Sequence, residues 1–256
     1  MNLVILTIIL GFIGSFIAGL AGIGGAIIMV PLLHFLPPAL GLEKLSMQII
    51  AGVTIVQVMV ATGIAVLVHK SNNFVKKDLV VWMGASIIIG SFLGGLGSKF
   101  VSEDILKLIF AVLALIASLM MFVPQKETTQ NQEFSYNRSL AVISSFLVGI
   151  LSGLVGAGGA FLLVPIMIYV LKIPLRITIG SSLGIVFFSA VSGFVSKVLS
   201  GQIVWGLALA IIMGAIPGAN LGGRMSKYVP AYYIKLLLTL LISGSAIKMW
   251  ISILNI

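Results

Sequence analysis

Side chains that ordinarily carry chemistry are scarce in this sequence, so the search for a working site begins with glycine. There is no cysteine, which excludes disulfides, thiolate metal sites and cysteine nucleophiles. The six acids (Glu43, Asp78, Glu103, Asp104, Glu127, Glu133) all lie between apolar runs. There is no H-E-x-x-H, and no catalytic residue, metal ligand or cofactor is expected. Against that background "GLAGIGGAIIMVP" (19–31) recurs as "GLVGAGGAFLLVP" (153–165). Glycine costs about 1 kcal/mol relative to alanine in a helix interior, so a penalty incurred twice in register needs a reason. Where side chains are missing, backbone N–H groups become approachable, and those at the start of a helix attract anions. Gly22, Gly24 and Gly25, with Gly156, Gly158 and Gly159, are therefore the candidate anion-binding residues. Half-helices are expected to begin near Ala26 and Ala160, with their positive ends turned inward.

Other polar residues in apolar runs are candidates for the same cavity. Thr54 and Gln57 in the second run, and Ser181, Ser182 and Ser189 in the sixth, occupy related places in the two halves, and Asn220 stands in "GANLGG". Hydroxyls and amides can bond anion oxygens; equally, Ser and Thr can satisfy their own helix backbone. Close helix packing is the competing reading for any glycine in a membrane helix, and it is preferred for "GSFLGG" and "GANLGG". A Rossmann site is rejected, because neither triplet has G-x-G-x-x-G spacing between a strand and a helix. Lys197 and Lys248 are read as snorkelling from run ends, His34 and His69 as interfacial, and Arg224 as a topology residue.

The elements that must position these residues follow from composition. Hydrophobic residues make up 60% of the 256 and charged ones 8%, with a mean hydropathy of +1.25. A soluble domain carries about 25% charged residues, so an integral membrane protein is expected, multi-pass in a bacterial or archaeal plasma membrane. Solid apolar runs point to helices rather than a barrel, whose strands alternate. The runs fall at about 3–35, 47–68, 79–98, 105–123, 139–171, 177–199, 203–223 and 232–254. A helix needs about 20 residues to cross the hydrocarbon core; the two runs bearing the glycine motif are far longer. The pI near 9.9 reflects basic residues in the short connections, which suits topology and contact with anionic headgroups rather than nucleic acid. The first segment, lacking a basic n-region, is expected to be retained rather than cleaved.

"GSFLGGLGSKFVSEDILKL" from Gly90 aligns without gaps to "GANLGGRMSKYVPAYYIKL" from Gly218. The chain therefore divides into a first transmembrane repeat (1–123), a linker (124–138) and a second repeat (139–256). If each long run crosses once, the halves point the same way and Lys/Arg split eight to seven between the two sides. If each run breaks at its glycines and returns, the halves are inverted and the split is ten to five. The ten are Lys70, Lys76, Lys77, Lys126, Arg138, Lys172, Arg176, Arg224, Lys227 and Lys235; the five are Lys44, Lys99, Lys107, Lys197 and Lys248. The positive-inside rule favours the second arrangement, with both termini outside. The expected fold class is thus an all-α membrane protein of eight hydrophobic segments in two homologous four-segment halves, inverted, with broken or re-entrant first segments.

The duplicated G-x-x-G-x-G-G-A-x-x-x-V-P and the eight-segment layout resemble the TauE/SafE sulfite exporter family, also called the toluene sulfonate uptake permease family. The resemblance spans the whole chain. It implies a secondary transporter of small sulfur-containing anions, such as sulfite, sulfonates or thiosulfate, without fixing which. An anion channel, or a transporter of a different small organic anion, is the alternative; an intramembrane enzyme fits poorly, since serine chemistry would lack an evident base. The expected partners are a small anionic substrate and the lipid bilayer, with a homodimer left open.

Overall fold

The computed structural model describes residues 2–22, 24–69, 76–122, 136–226 and 228–254. All described regular structure is helical. The first half contains α1 (Leu3–Ala21), α2 (Ala26–Ala39), α3 (Met47–His69), α4 (Lys77–Gly97) and α5 (Glu103–Phe122). The second contains α6 (Arg138–Val155), α7 (Ala160–Pro165), α8 (Leu175–Leu199), α9 (Trp205–Ser226) and α10 (Ala231–Leu254). Eight helices are long and apolar enough to cross a membrane, and the two short ones, α2 and α7, follow the glycine triplets. After α7 the backbone widens into a π-turn over Ile166–Val170, beside a Pro165 that brings no N–H to the ladder.

The expected linker lies mostly outside the described residues. Its end is tied down: Arg138 pairs with Asp78 at 3.3 Å, Tyr136 donates to the same carboxylate, and the Asn137 side chain caps α6 by accepting from the Leu140 N–H. Arg138 also lies 4.8 Å from the centre of the Trp82 ring, as an interfacial tryptophan anchor should.

Close contacts fix the helix directions. Alanine at Gly214, Gly218 or Gly222 of α9 would meet the backbone of Ile8, Phe12 and Phe16 of α1 respectively, so the two helices run parallel. Likewise Ser86 donates to the Val142 carbonyl, and Gly90 and Gly94 face Phe146 and Ile150, so α4 runs parallel to α6. Along α8, Gly184 faces Val80, Ser192 donates to the Ile88 carbonyl and Ser196 meets Gly95, again parallel to α4. In contrast Ile55 meets Gly193 while Gly63 meets Phe187, so α3 opposes α8; Gly52 beside Gln202 and Val68 beside Gly223 align α3 with α9. Taken together, α1, α3 and α9 share one direction, and α4, α6 and α8 the other. Within the first half α2 turns back along α1, with Met29 against Gly14 and Gly25 against Ala18.

The halves interlock. α1 packs mainly on α9 and α4 mainly on α6, two pairings that correspond to each other under the repeat, while α3 meets α8 and α5 meets α10. The α1–α9 and α4–α6 contacts are glycine faces: a Cβ at Gly94 would overlap the Ile150 carbonyl, and one at Gly222 the Phe16 carbonyl. "GSFLGG" and "GANLGG" therefore let backbones approach closely.

Two sequence expectations fail on burial. Lys197 does not snorkel; it is fully buried, and its ammonium donates to Ser98 Oγ and Gln202 Oε1, both at 2.6 Å, and to the Leu154 carbonyl at 3.4 Å. The outward route fails because acceptors from three other segments close over the end of α8. His34 is likewise buried rather than interfacial, its ring edge-on to Phe35 at 4.7 Å, because α2 continues past it to Ala39. The His69 side chain lies outside the described residues.

Candidate functional site

Each glycine triplet breaks its run in the same way. Gly22, Gly24 and Gly25 have φ of +74°, +69° and +74°; Gly156, Gly158 and Gly159 have +69°, +63° and +82°. L-residues with a Cβ are disfavoured in that left-handed region, so glycine is the residue that ends the helix and turns the chain there. In the second break the turn is a Schellman closure: the Ala157 N–H donates to the Ser152 carbonyl at 2.9 Å and the Gly156 N–H to the Gly153 carbonyl at 3.4 Å. The helix-interior penalty for glycine does not apply, since all six lie outside helices. The half-helices begin at Ala26 and Ala160.

Both new helices start bare. Among the described residues no side chain caps α2 or α7, whose first intrahelical bonds run from the Ile28 and Met29 N–H groups to the Gly25 carbonyl and from Leu162 and Leu163 to Gly159. The N–H groups ahead of those bonds have no intrahelical partner, and each terminus carries roughly half a positive elementary charge.

The two breaks meet halfway along α3 and α8. A Cβ at Gly24 would lie 3.2 Å from Val58 Cγ1, 3.3 Å from the Ala160 methyl and 3.4 Å from Val186 Cγ1. One at Gly158 would lie 2.6 Å from Val58 and 3.4 Å from Val186. Both valines are fully buried. Gly24 and Gly158 thus face the same pair of side chains, and the start of α7 stands beside the first break.

Of the polar candidates, Gln57 and Ser182 touch the first break directly, and Thr54 lies on the same helix as Gln57. Both α3 residues are fully buried, with Thr54 one turn before Val58. Gln57 Nε2 donates to Ser15 Oγ of α1 at 2.8 Å and stands 2.8 Å from where a Cβ on Gly25 would be. Thr54 Oγ1 and Gln57 Oε1 have no hydrogen-bond partner among the described residues. Buried polar atoms are normally satisfied; the Thr54 hydroxyl is left with a proton to donate as well as lone pairs, and Gln57 Oε1 with lone pairs alone. Ser182 joins the first break by donating to the Gly22 carbonyl at 3.3 Å and to its own Ile179 carbonyl at 3.2 Å. Ser181 points elsewhere, accepting from the Lys76 N–H at 3.1 Å. Ser189 Oγ is buried without a hydrogen-bond partner among the described residues. Asn220 is half-buried on α9, and no hydrogen bond ties it to either break among the described residues. Arg224 is exposed near the end of α9.

Sequence reasoning missed Val58, Val186 and Ser15. A signal existed for the valines: Val58 and Val186, like Thr54 and Ser182, are related by the same offset of 128 residues that relates Gly90 to Gly218. It missed the Lys197–Ser98–Gln202 cluster because its members are joined only by folding.

The residue pattern of the family described as "Sulfite exporter TauE/SafE" matches residues 7–249. Among curated proteins, "Probable membrane transporter protein YunE" of Bacillus subtilis (strain 168) is 29% identical over 249 residues, covering 89% of each chain. "Probable membrane transporter protein YdhB" of the same strain is 27% identical over 238 residues, covering 90% of each. A probable membrane transporter protein of Methanocaldococcus jannaschii is 22% identical over 244 residues, covering 91% of this chain and 90% of its own. No solved structure matches the chain. These relatives and the eight apolar helices make the protein a multi-pass transporter of the cell membrane and not an enzyme.

Proposed function

Because the chain belongs to the TauE/SafE sulfite exporter family, we propose that it is a secondary transporter of small sulfur-containing anions of the sulfite, sulfonate or thiosulfate type, bound where its two glycine breaks meet. The observation that carries this reading is the convergence of Gly24 and Gly158 on Val58 and Val186, with an uncapped helix start at each break. Glycine turns at corresponding places in two halves suit a binding site built from discontinuous helices, and backbone N–H groups can hold an oxyanion. Thr54, in the same layer, can donate its hydroxyl proton to a substrate oxygen, and Gln57 the second proton of Nε2, the first being held by Ser15. Gly22, Gly25, Gly156, Gly159, Ser182, Ser181 and Asn220 complete the proposed set, the last two at its margin.

The directions of α1 and α6 support an inverted repeat, with both termini outside and the site open to each side in turn. Interlocked packing argues that the bodies moving during alternating access are not the two sequence halves: α1 travels with α9, and α4 with α6. Purified protein in proteoliposomes is expected to accumulate labelled sulfite, thiosulfate or a sulfonate when an ion gradient is imposed. Equilibration of those anions without accumulation under any gradient would replace the transporter with a channel, and no flux of any of them would remove the substrate class.

A further inference from the structure

An anion at these breaks meets helix ends of both signs. The starts of α2 and α7 attract it, but α1 and α6 end at the same places, and their last carbonyls carry the opposite partial charge. Lys197 sits on one of those ends. Its ammonium donates to the Leu154 carbonyl at 3.4 Å, in the last turn of α6 and two residues before Gly156. Its other two contacts, Ser98 Oγ and Gln202 Oε1, are neutral. Ser98 in turn donates to the Gly95 carbonyl at 2.6 Å and to Gln202 Oε1 at 3.0 Å, so the ammonium is held from α4, α6 and the turn after α8. Among the described residues Lys197 is the one buried Lys or Arg, and no carboxylate pairs with it.

A buried ammonium is costly unless something compensates its charge. Its three contacts are neutral acceptors, and no carboxylate among the described residues balances a charge there. We propose that Lys197 keeps its proton in this setting and is a positioning and specificity residue for the anion site: it offsets the negative end of α6 at the second break and supplies a positive potential to whatever anion binds there. This assignment rests on the anion reading above. The charge is held off the substrate, behind the α6 terminus, so the anion is attracted without forming an ion pair that would slow its release.

The test separates charge from architecture by comparing a dianion with a monoanion. Binding of thiosulfate and of methanesulfonate is measured on purified wild type, Lys197→Arg, Lys197→Gln and Lys197→Met, together with thermal stability. Loss of a fixed potential acts in proportion to ligand charge. Lys197→Gln is therefore expected to weaken methanesulfonate about tenfold and thiosulfate about a hundredfold, while Lys197→Arg retains the wild-type ratio. Should Lys197→Gln not fold, Lys197→Met, which removes the charge at similar volume, gives the same comparison. Equal weakening of both anions, or an unchanged affinity ratio with lowered stability, would make Lys197 a structural tie and overturn the proposal. If wild type binds neither anion, the anion reading falls and takes this assignment with it; if wild type binds and only the charge dependence is absent, this assignment alone falls.

Discussion

Gly24→Ala is the perturbation that most cleanly separates a binding glycine from a packing one. At φ of +69° an alanine costs about 1–2 kcal/mol. The new methyl would also lie 3.2–3.4 Å from Val58, Ala160 and Val186, so the valines and the start of α7 must give by a few tenths of an ångström. For a chain of this size that loss corresponds to a fall in melting temperature of roughly 2–8 °C. The same methyl, however, occupies the space between the two breaks, where the anion must reach the N–H groups. Affinity for sulfite or thiosulfate is therefore expected to drop at least about tenfold, equivalent to about 1.4 kcal/mol. Gly94→Ala is the opposite case: its φ is helical, but the methyl falls on the Ile150 carbonyl and must push α4 from α6. Its stability is expected to fall by about 1–3 kcal/mol, with normal binding by the protein that remains folded. The assay is thermal stability and equilibrium anion binding on the same purified samples. Folded Gly24→Ala that binds like wild type would refute the site assignment and leave the triplets as turns alone.

Thr54→Val should raise stability by about 1 kcal/mol, since it removes a buried hydroxyl without a partner, and should weaken anion binding; unchanged binding would remove Thr54 from the site. Replacing each of the six acids with its amide should leave gradient-driven transport intact, Asp78→Asn included despite its Arg138 and Tyr136 contacts, and loss of coupling in any inserted variant would reveal a carboxylate in the mechanism. Single cysteines placed at residues 2 and 130 should react from opposite sides of the membrane, on a background that contributes no thiol of its own; labelling from one side would contradict the proposed topology.

The breaks were legible in the sequence because they are built from the one residue that takes a left-handed turn freely, and because duplication printed them twice. Ala26 and Ala160 could be named as helix starts for the same reason. The packing role of Gly94 and Gly222 was legible too, since G-x-x-x-G places both glycines on one helix face. Depth was not. Lys197 stands near the end of an apolar run, and distance along the run suggests an outward route; only folding brings Ser98, 99 positions away, over it. His34 was read as interfacial because the apolar run ends at about residue 35, whereas α2 continues to Ala39. Gln57 was legible as polar, but its partner Ser15 became visible only once α1 lay beside α3.

The crossing of α1 over to α9 sets an order of assembly. The glycine face that α1 offers belongs to a partner that begins at Trp205, so about 200 residues must be made before it is covered. At about 5–20 residues per second, α1 waits on the order of 10–40 s in the bilayer with its backbone groove open. α4 waits far less, since α6 starts at Arg138, and α8 then joins the same pair. The centre of the molecule therefore closes first, and its earliest-made helix docks late, once the chain is nearly complete. A ribosome stalled before Trp205 would leave α1 as the segment open to quality-control proteases, whatever the stability of the finished protein.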